Sequence, residues 1–341
     1  IEGYDGPPVR IMEVCGTHTH EIFRLGIRKL LPEQVELISG PGCPVCVTQV
    51  GFIDEAIYLA LERQVTICTF GDLVRVPGTN MSLAGARERG AKIRIVYSPV
   101  DAKEYAKEHP KEQVTFLSVG FETTTPSACL SVKKAREEGL TNYSILTANK
   151  TMPQAYEALK GSADIFLYPG HVNAITGTKL CEELAKEGVS GVVAGFTAKE
   201  LLTALAVALA RFQEGRPFFV NCYPRVVTEN GSPQAQKLVE EMMEPCDSEW
   251  RGLGVIKGSG MRLQEEWSAF DARKKYKIPP IQGKANPACR CGDVLQGKCK
   301  PSDCKVFGKV CTPQHPVGAC MVSGEGACSA YYMYGEAEKM K

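Results

Sequence analysis

The chain of 341 residues has no long hydrophobic run and no excess of either charge. Its longest apolar helical stretch, Leu201–Ala210, is bounded by Lys199, Glu200 and Arg211. Ten residues are too few to cross a bilayer, so no membrane segment is expected. Lys and Arg total 40 against 39 Asp and Glu, a formal charge of +1. Without a basic excess there is little to neutralise phosphates, and nucleic acid is not an expected partner. Neither a Walker lysine pattern nor a dinucleotide fingerprint is present, which leaves nucleotide binding unsupported. No basic-then-apolar leader opens the sequence, and the expected location is the cytoplasm.

Cysteine is what the chain has in abundance. There are fifteen, an odd number, and seven fall between Cys289 and Cys328. In a reducing compartment such clusters more often bind metal or do redox chemistry than form structural disulfides.

Short Val/Ile-rich runs, each of those before residue 100 followed by Gly or Pro, alternate with helical patterns over the first two-thirds of the chain. Strands are expected at 10–14, 35–39, 65–70, 93–97, 114–119, 144–148, 165–168 and 192–196. This alternation predicts an α/β protein with parallel sheets. The pattern restarts near residue 113, predicting two tandem α/β domains at 9–112 and 113–223. A third, C-terminal cysteine-rich region is expected at 224–341, where cross-links or metal must replace an apolar core.

Chemistry-bearing motifs sit where strands hand over to helices, the edge at which open α/β sheets bind ligands. Cys15-Gly16-Thr17-His18-Thr19-His20 places a thiol at a helix start, where backbone amides and the macrodipole favour the thiolate. Gly40-Pro41-Gly42-Cys43-Pro44-Val45-Cys46 suits either reversible disulfide formation or a two-point grip on a soft metal. Thr69-Phe70-Gly71-Asp72 adds a carboxylate, and the three strand ends are expected to share one crevice. Three thiolates without a fourth suit a metal with open positions. Glu122 lies in the Gly- and Thr-rich turn Gly120–Pro126. His171, in Pro169-Gly170-His171-Val172-Asn173, is expected to be structural. The seven late cysteines fit neither a zinc ribbon nor a bacterial ferredoxin run, yet suffice for a four-cysteine iron–sulfur site with a redox pair to spare.

In this order, and ending in Gly324-Glu325-Gly326-Ala327-Cys328, these motifs resemble the HypD family of nickel–iron hydrogenase maturation proteins along essentially the whole chain. The resemblance implies two α/β domains and a cluster-bearing part. It implies a scaffold on which, with the small protein HypC, one iron acquires cyanide and carbon monoxide. Cyanide would come from a HypE-like donor, itself supplied by HypF. Carried over, Cys15 is the main iron-binding thiolate, and Cys43 and Cys46 are further iron ligands or an electron-supplying redox pair. His18 and Asp72 shape the site, and Glu325 approaches it from the tail. The family's cluster spacing selects Cys289, Cys304, Cys311 and Cys328 as 4Fe-4S ligands, with 14, 6 and 16 residues between them. Cys291, Cys299 and Cys320 then lie outside the ligand set. Family members resemble ferredoxin–thioredoxin reductase around this cluster, which suggests electron passage to the Cys43–Cys46 pair. One departure is Gly324, where the family pattern leads one to expect serine. Two other classes stand beside this reading: an iron–sulfur-linked thiol–disulfide oxidoreductase, and a zinc-stabilised binding module.

Overall fold

The computed structural model describes residues 1 and 3–335. Its strands are β1 (Val9–Glu13), β2 (Val35–Ser39), β3 (Thr66–Thr69), β4 (Ile93–Ile95), β5 (Val114–Ser118), β6 (Tyr143–Thr147), β7 (Ile165–Pro169), β8 (Ser190–Ala194), β9 (Phe219–Asn221), β10 (Met243–Trp250) and β11 (Gly254–Leu263). The architecture is α/β with two all-parallel sheets, as the strand–helix alternation requires. Strands β5, β6, β7 and β8 are buried along their whole length, which explains their continuous apolar runs rather than an alternating pattern.

Sheet membership interleaves the chain. One sheet has the order β2-β1-β7-β8-β9 and the other β4-β3-β5-β6. The expected line between 112 and 113 therefore falls between two strands of the same four-stranded sheet. The chain leaves the first sheet through helix Val50–Glu62 and returns to it after helix Met152–Ala158. Parallel neighbours need a crossover in any case, so local periodicity does not reveal which sheet a strand joins.

The segment after Tyr223 contains a long antiparallel hairpin, β10–β11. Its Trp250 is fully buried and stacks on Phe121, with ring centroids 5.8 Å apart. Lys150, also buried, donates to Ser248 Oγ at 2.6 Å and to the Glu249 carbonyl at 2.8 Å, tying the hairpin to the end of β6. The tail holds only short helices, Cys291–Leu295 and Ala327–Tyr334, and two single 3-10 turns. The last six residues of the expected third region, 336–341, lie outside the described residues. No helix among the described residues is long and apolar enough to cross a membrane.

Candidate iron and thiol sites

Cys15 follows β1 directly and caps helix Gly16–Arg24, while Gly42 follows the neighbouring β2. The two strand ends touch through backbone. The Gly16 amide donates to the Gly42 carbonyl at 2.9 Å, and a Cβ on Gly42 would lie 2.3 Å from Cys15 Cα. Only glycine fits there, so the Gly-Pro-Gly preceding Cys43 is what lets the two motifs meet. Below them Glu13, fully buried, pairs with Arg28 and accepts from Thr19 Oγ1 at 2.7 Å.

Helix-start stabilisation of the Cys15 thiolate does not prevail. Burial pushes the thiol up to about 12, against the lowering effect of the His18 and Thr17 amides, and Glu325 adds to the rise. In a closed site desolvation outweighs a partial dipole charge. Such a thiol surrenders its proton when a cation takes the proton's place, which is the behaviour of a metal ligand.

His18 is buried. Its Nε2 lies 3.0 Å from the Gly195 carbonyl and 3.2 Å from that of Ala194, at the end of β8. Between two carbonyls Nε2 carries the proton and donates, and burial holds the ring neutral, with its pKa down to about 4. Nδ1 has no partner. Phe196 stacks against His171 at 3.9 Å and lies 4.7 Å from His18, so both imidazoles share one aromatic platform. His171 thus belongs to this site, which the sequence alone did not indicate.

Glu325 arrives from 308 residues away. Its Oε1 accepts from Thr17 Oγ1 at 2.7 Å, and a Cβ on Gly16 would lie 2.6 Å from Glu325 Cβ. Its charge also reaches His171, opposing the lowering that burial causes there. A Cβ on Gly324 would meet nothing within 4 Å, so space does not demand glycine there. The Gly324 carbonyl lies 3.0 Å from His20 Nδ1.

Cys43 and Cys46 are joined as a disulfide across the turn Pro44–Val47, with Cα atoms 5.3 Å apart and both residues buried. In this state they offer no thiolate to a metal. Asp72 is elsewhere. It is exposed, at the end of β3 in the four-stranded sheet, and makes no hydrogen bond or ion pair among the described residues. Cys15 and the disulfide sit on adjacent strands as expected, whereas the third strand end belongs to the other sheet.

Glu122 is partly buried, with its Oε2 shut off from solvent. Its Oε1 accepts from the Met152 amide at 2.8 Å and Oε2 has no partner, as is true of the buried Tyr156 hydroxyl. Burial raises its pKa from the ordinary 4.5 to about 7. An acid whose pKa rises on folding contributes stability that is complete below pH 4.5 and lost as pH climbs through 7. The loss is about 3 kcal/mol, from the size of the shift. His18 slopes the other way, its contribution present above pH 6.5 and lost toward pH 4. Comparing Glu122→Gln with the parent cancels that term. Urea unfolding from pH 4.5 to 7.5 should show the variant gaining about 3 kcal/mol relative to the parent as pH rises; parallel curves would exclude a buried ionisation at Glu122.

Six of the seven late cysteines (Cys289, Cys291, Cys304, Cys311, Cys320 and Cys328) line one small cavity, closed by Val294, Val306, Phe307 and Met321. Cys299 stands outside it, in a separate surface cleft against β2. Gly318 is confined, since a Cβ there would lie 2.4 Å from Cys289 Sγ. A hydrogen bond with Cys291, together with burial, pushes the Cys289 thiol up. Cys291 also interacts with Cys320, and Cys320 with Cys328, so that the acidities of these thiols depend on one another. Among the described residues no three Cys, His, Asp or Glu groups converge in metal-binding geometry. The donor set is nonetheless all soft sulfur in an apolar enclosure, and its chemistry fits an iron–sulfur group. The turn at Pro44–Val47 packs against Ala319–Met321, so the disulfide and the thiol cavity share one buried core.

The chain was compared with known proteins. The family described as "HypD: Hydrogenase formation hypA family" matches residues 2–335. The protein named "Hydrogenase maturation factor HypD" from Cupriavidus necator is 42% identical over 347 aligned residues, covering 98% of this chain and 92% of that protein. Proteins of the same name from Rhizobium leguminosarum bv. viciae and Escherichia coli K12 are 44% and 43% identical, covering 95% and 97% of this chain and 88% and 90% of theirs.

Proposed function

The chain belongs to the HypD family of hydrogenase maturation proteins, and from that premise we propose that it is the scaffold on which an iron ion receives its cyanide and carbon monoxide ligands. The observation that carries this reading is the meeting of Cys15 with the Cys43–Cys46 pair on adjacent strand ends, closed over by Glu325 from the tail. The iron is cargo. Cys15 exchanges its thiol proton for the metal, and a cysteine of a HypC-like small chaperone supplies another sulfur. Glu325 and Thr17 hold the rim, and His18 fixes the helix carrying Cys15 to the end of β8. A HypE-like donor delivers cyanide. Soft thiolates suit a low-spin ferrous ion carrying such ligands.

Cys289, Cys304, Cys311 and Cys328 would hold the 4Fe-4S cluster, which supplies single electrons when bound. Converting Cys43–Cys46 to two thiols takes two electrons and two protons. Cys320 lies in the turn packed on that pair and in the thiol cavity, joining the two regions. The location proposed is the cytoplasm, where the thirteen free cysteines would persist reduced.

The disulfide itself favours one other reading, an iron–sulfur-linked thiol–disulfide oxidoreductase acting on a protein substrate. Infrared spectroscopy separates them. Protein isolated anaerobically with its small chaperone should show metal-bound cyanide and carbon monoxide stretches. Absence of those bands, with a cluster and a titratable dithiol present, would favour the oxidoreductase.

A further inference from the structure

One turn separates the thiol cavity from solvent. Residues 304–311 fold back on themselves: the Phe307 amide donates to the Cys304 carbonyl at 3.0 Å, Gly308 to Cys311 at 3.0 Å and Cys311 to Val306 at 2.8 Å. The inner side of this turn, Val306 and Phe307, lines the cavity between Cys304 and Cys311. Its outer side carries Lys305, Lys309 and Val310, all exposed, Val310 by 65%. Tyr332, itself partly exposed, lies edge-on to Phe307 with ring centroids 6.1 Å apart and extends the apolar centre.

Charge is concentrated here. Residues 289–311 contain five basic groups (Arg290, Lys298, Lys300, Lys305 and Lys309) and two acidic ones (Asp293 and Asp303), a net of +3 in a chain of +1. Arg290 pairs with Asp293 at 2.9 Å, and Lys300 lies 3.9 Å from Glu36. Lys298, Lys305 and Lys309 have no carboxylate within ion-pair distance among the described residues. Two of these unpaired lysines immediately flank Cys304 or stand two residues before Cys311. An exposed apolar residue beside two unpaired lysines, on a turn whose inner residues line a redox-capable cavity, is a surface shaped for a transient, charge-steered encounter. Electron-transfer interfaces are small and weak, and a single turn is enough to form the centre of one.

We propose that the 304–311 turn docks a small acidic electron-carrier protein of the low-potential, one-electron class, which delivers electrons to the site behind it. This rests on the reading that the tail thiols hold an iron–sulfur cluster. Each encounter oxidises the carrier by one electron and reduces the cluster site by one. Two encounters, with two protons from solvent, convert Cys43–Cys46 to the dithiol.

The test uses full-length protein reconstituted with its cluster, mixed anaerobically with a reduced, negatively charged plant-type ferredoxin as probe. Recovery of the oxidised ferredoxin spectrum gives the second-order rate. In the parent that rate should fall steeply with added salt. In the double variant Lys305→Glu/Lys309→Glu it should be at least about ten-fold lower and nearly independent of salt. Reduction by the small cation radical of methyl viologen should not be slowed. A readout without turnover is calorimetric titration with oxidised ferredoxin, whose binding heat should vanish in the variant. An unchanged ferredoxin rate in the variant, or a parent rate indifferent to salt, would overturn the docking site while leaving the cluster in place. Protein that stays colourless after reconstitution would instead remove the cluster reading and this inference with it.

Discussion

Cys15→Ala is expected to lower hydrogenase maturation below detection while the purified protein keeps its visible absorption. The side chain is small and buried, so its loss costs about 1 kcal/mol of packing and leaves the fold intact. What disappears is the one thiol positioned by the Gly16–Gly42 backbone contact and faced by Glu325. Cys43 and Cys46 are bonded to each other and offer no thiolate in its place, and His18 has its Nε2 on the Gly195 and Ala194 carbonyls. Complementation of a maturation-deficient strain, together with the infrared spectrum of the variant bound to its small chaperone, measures the effect. Full activity, or retained cyanide and carbon monoxide bands, would move the iron to another residue.

Cys311→Ala is expected to bleach most of the visible absorption and to lower the thermal midpoint of the reconstituted protein by several degrees. The tail has few means of holding itself together, with a five-residue and an eight-residue helix around a cavity lined by sulfur. Such a segment depends on cross-links or metal, and a ligand lost is a cross-link lost. Cys299→Ala is the control. It lies outside the cavity, so colour and midpoint should both stay at parent values. Absorption unchanged in Cys311→Ala would exclude Cys311 from the ligand set. Bleaching in Cys291→Ala or Cys320→Ala as well would show a broader set than the spacing 14, 6, 16 selects.

The strands were largely legible because each is a short apolar run, most of them closely followed by Gly or Pro, and both signals are local. Val35–Ser39 was placed to the residue, and the other seven expected strands within two at each end. The Cys15 and Cys43 motifs were legible as strand-end chemistry for the same reason, and the steric need for Gly42 explains why they coincide. Glu325 was visible only through family resemblance, since nothing in its neighbourhood of sequence says that a loop 308 residues from Thr17 will reach it. His171 was legible only as a strand-end residue with a structural role, and its pairing with Phe196 was not, because the two are joined by stacking across two strand ends.

By itself the sequence determined the class of fold, the family, and which thiols are available for chemistry, because periodicity, motif order and cysteine spacing are written along the chain. Tertiary structure alone decided three things. Strand pairing, a long-range choice, sent β1 and β2 to join β7 rather than β3 and so put Asp72 and Cys15 on different sheets. Burial reversed the expected acidity of the Cys15 thiol, because the cost of desolvating a charge exceeds what a helix start returns. The closing of the tail over one core placed six cysteines beside the disulfide, a proximity that depends on which surfaces pack together and not on any run of residues.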